Sequence, residues 1–155
     1  MSSTSTKTGT TTYAIDASHS QVGFSVKHMM FSTVRGNFRG FEGTIAIDND
    51  NPANSTVNVT IDASTITTGD EKRDEHLRSA DFFDVAVYPT ITFKSTSIDF
   101  KDAENFTING ELTMHGVTNA VKIKAEQTGE GTNPWGVVVA GFEGSAKINR
   151  KDYGL

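Results

Sequence analysis

The feature that most constrains the fold is a two-residue alternation of apolar and polar side chains, repeated in short segments along the chain. In one segment Val57, Val59 and Ile61 are separated by Asn58 and Thr60. Because successive side chains of a β-strand point to opposite faces, each such segment has one apolar and one polar face. Clusters of Gly, Asn and Asp separate the segments. The pattern predicts strands near 13–16, 20–31, 34–48, 55–63, 90–99, 105–114, 119–128 and 136–149.

Strands with one apolar face close most simply into a sandwich or an up-and-down barrel. The chain has 14 glycines, and those inside predicted strands suit the sharp coiling of a small barrel better than flat sheets. In the strand at 34–48 the apolar phase slips by one residue among Gly36, Gly40 and Gly43, where we expect a bulge to re-aim the strand. We predict an all-β, eight-stranded antiparallel up-and-down barrel, with space left inside because bulky Phe side chains are offset by Gly and Ala.

One segment, the connection between residues 65 and 89, breaks the two-residue period. Residues 70–80 are good helix formers with two acidic side chains at the front, which complement the helix dipole. The sequence therefore predicts one short helix here. Leu77, Phe82 and Phe83 are expected to close one end of the barrel, because a long connection with paired aromatic residues is seldom disordered.

Length and composition exclude several classes of protein. The chain has 155 residues, enough for one domain, and we expect a disordered polar leader at 1–12 followed by one domain at 13–155. No apolar run approaches the roughly 18 residues of a membrane helix, so no stable membrane insertion is expected. A net charge of −5 argues against nucleic-acid binding. Without Cys there is no disulfide or thiolate metal site. No signal peptide is visible, which favours a cytoplasmic location.

The four histidines are the main candidates for chemistry. His19, His28, His76 and His115 show no metal-ligand spacing, and we predict neither a metal site nor a cofactor. His28 lies on the apolar face of its strand. It is either a core histidine bonded to a backbone carbonyl or a polar contact in an apolar pocket. No nucleophile motif is present, so no catalytic residue is predicted.

An ordered series of short motifs identifies a family. They include Val26-Lys27-His28-Met29, Arg73-Asp74-x-His76-Leu77-Arg78-Ser79, Asp81-Phe82-Phe83-Asp84-Val85, Tyr88-Pro89-x-Ile91-x-Phe93 and Arg150-x-Asp152-Tyr153-Gly154. Over residues 13–155 the chain closely resembles the YceI family of polyisoprenoid-binding, lipocalin-like proteins. The resemblance implies a barrel around a long apolar ligand, such as an isoprenoid quinone, a polyprenyl compound or a long-chain fatty amide. Many members are exported, so a periplasmic or secreted location is the alternative.

Family members usually continue past the Arg150-x-Asp152-Tyr153-Gly154 motif with residues that supply a last strand, whereas this chain stops at Leu155. Either the barrel lacks that strand or the chain is a shortened product. An open barrel edge would be prone to pair with another chain, so we expect that this edge can mediate homodimerisation.

We predict a non-enzymatic protein that binds, stores or transports an isoprenoid-type lipid inside the barrel. The side chains expected to line the pocket are Phe24, Val26, His28, Met30, Phe38, Ile45, Val59, Ile61, Leu77, Phe82, Phe83, Phe93, Leu112, Met114, Ile123 and Phe142. The candidates for contact with a polar head group are His28, Arg73 and His76. One alternative is an enzyme acting on an apolar lipid substrate, with His28 or the Asp74 and His76 pair as acid and base. Another is a filled barrel that serves as a structural or stress-response interaction module.

Overall fold

A computed structural model describes residues 9–28, 32–136 and 138–155 of the chain. These residues form ten strands and one α-helix, α1 (Glu71–Arg78), which lies between β6 and β7. The strands are β1 (Thr10–Ala14), β2 (Val22–His28), β3 (Ser32–Phe38), β4 (Phe41–Asp48), β5 (Thr56–Asp62), β6 (Ile66–Thr67), β7 (Thr90–Phe100), β8 (Asn105–Met114), β9 (Val117–Thr132) and β10 (Val138–Ser145).

The strands form a nearly closed antiparallel barrel. The main sheet has seven strands in the order β1-β4-β5-β7-β8-β9-β10, and a second sheet has the order β2-β3-β6. The two edge strands of the main sheet, β1 and β10, approach each other. The ring centroid of Tyr13 on β1 lies 6.2 Å from that of Phe142 on β10. The Tyr13 hydroxyl also donates to Glu130 Oε2 at 2.9 Å. The all-β barrel with one short helix is confirmed, although seven strands rather than eight form the main sheet.

The bulge expected among Gly36, Gly40 and Gly43 is a complete break at residues 39–40, where the chain changes sheets. Phe38 at the end of β3 pairs with Ile66 in the three-stranded sheet, and Phe41 at the start of β4 pairs with Ile61 in the main sheet. A Cβ at Gly40 would lie only 3.0 Å from Thr65 Cγ2. The absence of a side chain therefore lets the two chain segments pass closely where both change direction.

Three element boundaries differ from the sequence predictions. β1 begins at Thr10, so the expected leader at 1–12 overlaps a strand that is held by pairing with β4. β9 continues to Thr132, through most of a predicted turn, because β10 pairs with it there. β10 ends at Ser145 instead of continuing to 149, and a 3₁₀ turn follows at Arg150–Tyr153.

The predicted short helix is present as α1, and it closes one end of the barrel. The Asp70 side chain caps α1 by accepting the backbone N–H groups of Lys72 and Arg73. Leu77 and Phe83 pack against a buried cluster at this end. The members of that cluster are Phe38, Ile61, Ala63, Ile66, Ile91, Met114 and Tyr153. A second cluster, made of Val57, Phe93, Ile98 and Ile108, lies further along the barrel.

Four edge strands bear on how the barrel could associate. Within the described ranges, β1 and β10 are the edges of the main sheet, and β2 and β6 are the edges of the second sheet. Such edges offer unpaired backbone groups to another chain, but homodimerisation stays a prediction. Among the described residues, no helix is both long and apolar enough to cross a membrane.

Candidate ligand-binding cavity

A half-open cavity of about 670 Å³ lies at the end of the barrel opposite α1. Its walls come from the β4–β5 connection, the β7–β8 hairpin and the part of the β9–β10 hairpin nearest the barrel. Most of its lining is apolar. The lining residues are Ile45, Ile47, Asn51, Pro52, Ala53, Ser55, Val57, Ile98, Asp99, Phe100, Asp102, Ala103, Phe106, Gln127 and Phe142. The volume falls within the range of cavities that bind small organic ligands.

Local hydrogen bonds fix the β4–β5 side of the mouth. Asp48 Oδ1 accepts the backbone N–H groups of Asp50 and Asn51, each at 3.0 Å. The Asp48 backbone N–H in turn donates to the Ser55 hydroxyl at 2.9 Å. Between them, Pro52 begins a 3₁₀ turn, a position that suits a residue without a backbone N–H. The connection therefore holds Pro52 and its neighbours as one wall of the cavity.

The opposite wall is built from aromatic rings, two on the β7–β8 hairpin and one on β10. The Phe100 and Phe106 ring centroids are 5.1 Å apart, and Phe106 lies 6.4 Å from Phe142. The turn between the two strands is held by Asp102, whose Oδ1 accepts the backbone N–H groups of Glu104 and Asn105 at 2.8 Å each. These hydrogen bonds favour the charged carboxylate and lower the pKa of Asp102 below its ordinary value of 3.8.

The charge at the mouth is negative. Two of the lining residues, Asp99 and Asp102, are acidic, and none is basic. Asp99 Oδ2 accepts a hydrogen bond from the Asn109 side-chain amide at 2.8 Å, which holds this carboxylate at the rim. Since like charges repel most strongly beside a low-dielectric surface, this arrangement suits an uncharged head group better than an anionic one.

The predicted pocket residues are divided between the two ends of the barrel. Ile45 and Phe142 line the cavity. Behind them, Val59, Phe93, Leu112 and Ile123 belong to or pack against the second core cluster. The residues that belong to or pack against the helix-end cluster are Phe24, Phe38, Ile61, Leu77, Phe83 and Met114. Val26 is exposed, and Phe82 packs on the His76 ring. Met30 and the His28 side chain lie outside the described part. Contact of these residues with a ligand stays a prediction.

Arg73 and His76, the other head-group candidates, lie on α1 and not at the cavity. The Arg73 guanidinium donates to the Thr68 hydroxyl at 2.8 Å and to the Thr68 carbonyl at 3.1 Å. His76 Nε2 lies 2.9 Å from Asp81 Oδ2. Neither residue lines the cavity, because the helix covers the closed end. Both side chains instead hold the segments before and after α1.

Asp74 and His76, considered above as an acid and base pair, also have separate partners. Asp74 is buried and binds Thr68, whereas His76 is exposed and binds Asp81. The carboxylate and the imidazole therefore stabilise different turns of the same connection.

Sequence reasoning missed most of the mouth because its residues lie in turns, where the two-residue alternation does not apply. Pro52, Ala53 and Ala103 belong to segments that look like ordinary polar connections. One signal was available: Phe100 lies just after the predicted strand at 90–99 and Phe106 near the start of the predicted strand at 105–114, and the two residues pair. Two aromatic residues at the ends of adjacent strands indicate an apolar wall at that end of the barrel.

Comparisons with known proteins agree with this fold. Protein YceI of Shigella sonnei is 44% identical over 145 residues, which cover 92% of this chain and 75% of that protein. The crystal structure of the Campylobacter jejuni YCEI protein superposes with a TM-score of 0.74 at 34% identity, covering 92% of this chain and 83% of the other. A polyisoprenoid binding domain from Saccharophagus degradans shares the fold, with a TM-score of 0.53 at 18% identity over 80% of this chain and 76% of that domain.

The family assignment covers nearly the whole described barrel. The family model of the YceI-like domain matches residues 13–155, from β1 to the end of the chain. This is the same span that carries the sequence motifs. Together with the 44% identity to a YceI protein, the match shows that the chain belongs to the YceI-like domain family.

Proposed function

We propose that this protein binds a long apolar lipid of the isoprenoid class, with the lipid tail in the cavity opposite α1, and stores or carries it without covalent chemistry. The observation that supports this most directly is the cavity itself, about 670 Å³ in volume and lined mainly by aliphatic and aromatic side chains. Removing apolar tail groups from water contributes about 0.8 kcal/mol per CH₂. Few polar contacts are then needed for binding.

Two observations support an isoprenoid ligand: the shared fold and the polar residues at the cavity mouth. The Saccharophagus degradans domain, which has the same fold, is named for polyisoprenoid binding. At the mouth, Asn51 and Gln127 offer side-chain amides, while Asp99 and Asp102 disfavour an anionic group. An uncharged head that accepts hydrogen bonds, as a quinone does, suits these amides.

The proposal is tested by identifying what copurifies. The protein is expressed in a quinone-producing bacterium, purified without detergent and extracted with organic solvent, and the extract is analysed by mass spectrometry. We expect about one isoprenoid lipid per chain. Absence of any stoichiometric lipid, together with failure of the purified protein to take up an added isoprenoid quinone, would contradict the proposal.

A substitution that obstructs the cavity mouth tests whether the lipid binds in this cavity. Ala53 is exposed and lines the mouth, so Ala53→Trp places a bulky ring there without disturbing the core. We expect the copurified lipid to fall several-fold while the thermal unfolding midpoint stays close to that of the wild type. Ala120→Trp is the matched control, because Ala120 is an exposed β9 residue that does not line the cavity. Equal lipid content in the two variants would show that the lipid binds elsewhere.

A further inference from the structure

The β9–β10 hairpin extends well beyond the strand next to it. The ladder between β8 and β9 ends at the pair Asn105 and Glu126. β9 nevertheless continues to Thr132. It pairs with β10 from Lys124 to Thr132, and beyond Glu126 β10 is its remaining strand partner among the described residues. At about 3.3 Å per residue, the six residues that follow Glu126, up to Thr132, span roughly 20 Å. The hairpin therefore runs past the end of β8 on the side of the cavity mouth. Its Glu130 is held against Tyr13 of β1, and the turn at 133–136 lies at its far end.

Two large apolar side chains near the tip of this hairpin, those of Trp135 and Val139, are exposed. In the sequence, residues 131–142 contain no acidic, basic or histidine residue. Trp135 in the turn is 82% exposed, and Val139 on β10 is 46% exposed. An exposed side chain as large as Trp leaves an unusual amount of apolar surface in water, which points to a partner.

The turn that carries Trp135 has a defined shape. The Trp135 backbone N–H donates to Asn133 Oδ1 at 2.9 Å, and the Gly136 backbone N–H donates to the Asn133 carbonyl at 3.0 Å. Gly136 has a φ of +79°, in the left-handed region that glycine adopts readily. The indole is thus presented on an ordered turn, away from the barrel core.

The same hairpin also forms part of the cavity. Gln127 on β9 and Phe142 on β10 are among the lining residues, so the exposed tip and the mouth belong to one continuous structure. Trp is the residue that most favours the boundary between membrane and water, because its ring is apolar and its N–H is polar. The uncharged tip has no group that would need to lose its charge on contact with lipid.

We propose that this hairpin tip docks on the surface of a lipid bilayer, with Trp135 in the headgroup region, so that the cavity mouth faces the membrane during lipid transfer. This inference rests on the proposed lipid-binding function. The net charge of −5 and the acidic residues Asp99 and Asp102 at the mouth disfavour an anionic surface. The matching partner is therefore a zwitterionic bilayer.

The chain contains one Trp, so its fluorescence reports on the tip alone. Phosphatidylcholine vesicles are added to the purified protein at low salt. We expect the emission of Trp135 to shift to shorter wavelength and its quenching by iodide to fall. Vesicles with a large fraction of phosphatidylglycerol should give a weaker response. No shift with phosphatidylcholine, or a stronger one with phosphatidylglycerol, would overturn the proposal.

Vesicle cosedimentation of variants provides the second measurement. We expect Trp135→Ser to weaken vesicle binding by roughly tenfold, in line with the loss of a large buried apolar side chain. Val87→Ser is the matched control, because Val87 is exposed near the helix end of the barrel, away from the hairpin. Equal weakening of both variants would contradict docking through the tip.

Two further measurements distinguish membrane docking from failure of the proposed function and from self-association. Uptake of an isoprenoid quinone in the absence of vesicles should be the same for Trp135→Ser and the wild type. If uptake fails while docking occurs, the proposed function is wrong and the docking surface stands. If the Trp emission shifts with protein concentration alone, the tip binds a second copy of the chain and the membrane proposal is wrong.

Discussion

The buried carboxylate of Asp74 accepts two hydrogen bonds from Thr68, one from its backbone N–H at 2.9 Å and one from its hydroxyl at 2.5 Å. Arg73, the neighbouring residue on α1, donates to the same hydroxyl and to the Thr68 carbonyl. Arg73 and Asp74 thus fasten the start of the helix to Thr68, which directly follows β6. These charged side chains secure the closed end of the barrel.

Removal of the Asp74 carboxylate should therefore destabilise the fold. Asp74 is only 4% exposed, and its loss leaves the Thr68 N–H without its acceptor. We expect Asp74→Ala to lower the free energy of unfolding by roughly 1.5–3 kcal/mol, the range for hydrogen bonds to a charged group. Urea denaturation measures the change. Glu75→Ala, at an exposed position on the same helix, should change stability by less than about 0.5 kcal/mol. Equal effects would contradict this role of Asp74.

The alternation of apolar residues was sufficient to predict the barrel, because it records directly which face of each strand is buried. The helix could be predicted as well, since residues 70–80 combine a capping Asp70 with good helix formers. The break at Gly40 could not be distinguished from a bulge. It depends on contact with Thr65, which is distant in sequence.

The position of the cavity could not be predicted from the sequence either. Phe38 and Phe106 follow the same alternation, yet one lies in the helix-end core and the other lines the mouth. The difference arises because α1 covers one end, while the turns at Pro52 and Asp102 leave the other open. Which end a connection covers depends on the path of the whole chain and not on local periodicity.

The interior of the barrel should not tolerate a side chain at Gly110. A Cβ there would lie 2.5 Å from Phe93 Cζ and 2.6 Å from the Lys94 carbonyl oxygen. We expect Gly110→Ala to destabilise the protein by about 1–3 kcal/mol, as overpacked cores do. Gly131 is the control, because a Cβ at this β9 position meets nothing within 4 Å. If Gly131→Ala is as harmful as Gly110→Ala in thermal unfolding, crowding is not the cause.

The carboxylate of Asp16 should titrate at unusually low pH. It accepts hydrogen bonds from the Ser18 hydroxyl at 2.6 Å and from the Ser18 backbone N–H at 3.0 Å, and His19 Nδ1 lies 2.8 Å away. The Ser18 hydroxyl is the largest cause that lowers the pKa of Asp16 from 3.8 to about 2, and His19 follows. Because the folded pKa is depressed, the stabilising contribution of Asp16 is present above pH 3.8 and is lost as the pH falls through about 2.

NMR titration of the Asp16 carboxyl carbon measures this value. We expect Ser18→Ala to raise the pKa toward 3.8, because the largest hydrogen bond to the charged form is removed. Ser20→Ala should leave it unchanged, since Ser20 makes none of the hydrogen bonds to Asp16 described above. An Asp16 pKa near 3.8 in the wild-type protein would show that this turn does not form in solution.

The acidic rim should determine which amphiphiles the cavity accepts. Asp99 lines the mouth and accepts from Asn109, so Asp99→Asn removes a charge while keeping an oxygen acceptor. We expect the affinity for a long-chain fatty acid anion to rise about two- to fivefold at low salt, as expected for one partly screened charge. The affinity for an isoprenoid quinone should not change. Asp81→Asn, at the helix end, is the control for net charge. If it has the same effect, the overall charge of the protein and not the rim controls selection, and a rise that persists in 1 M salt would also exclude an electrostatic cause.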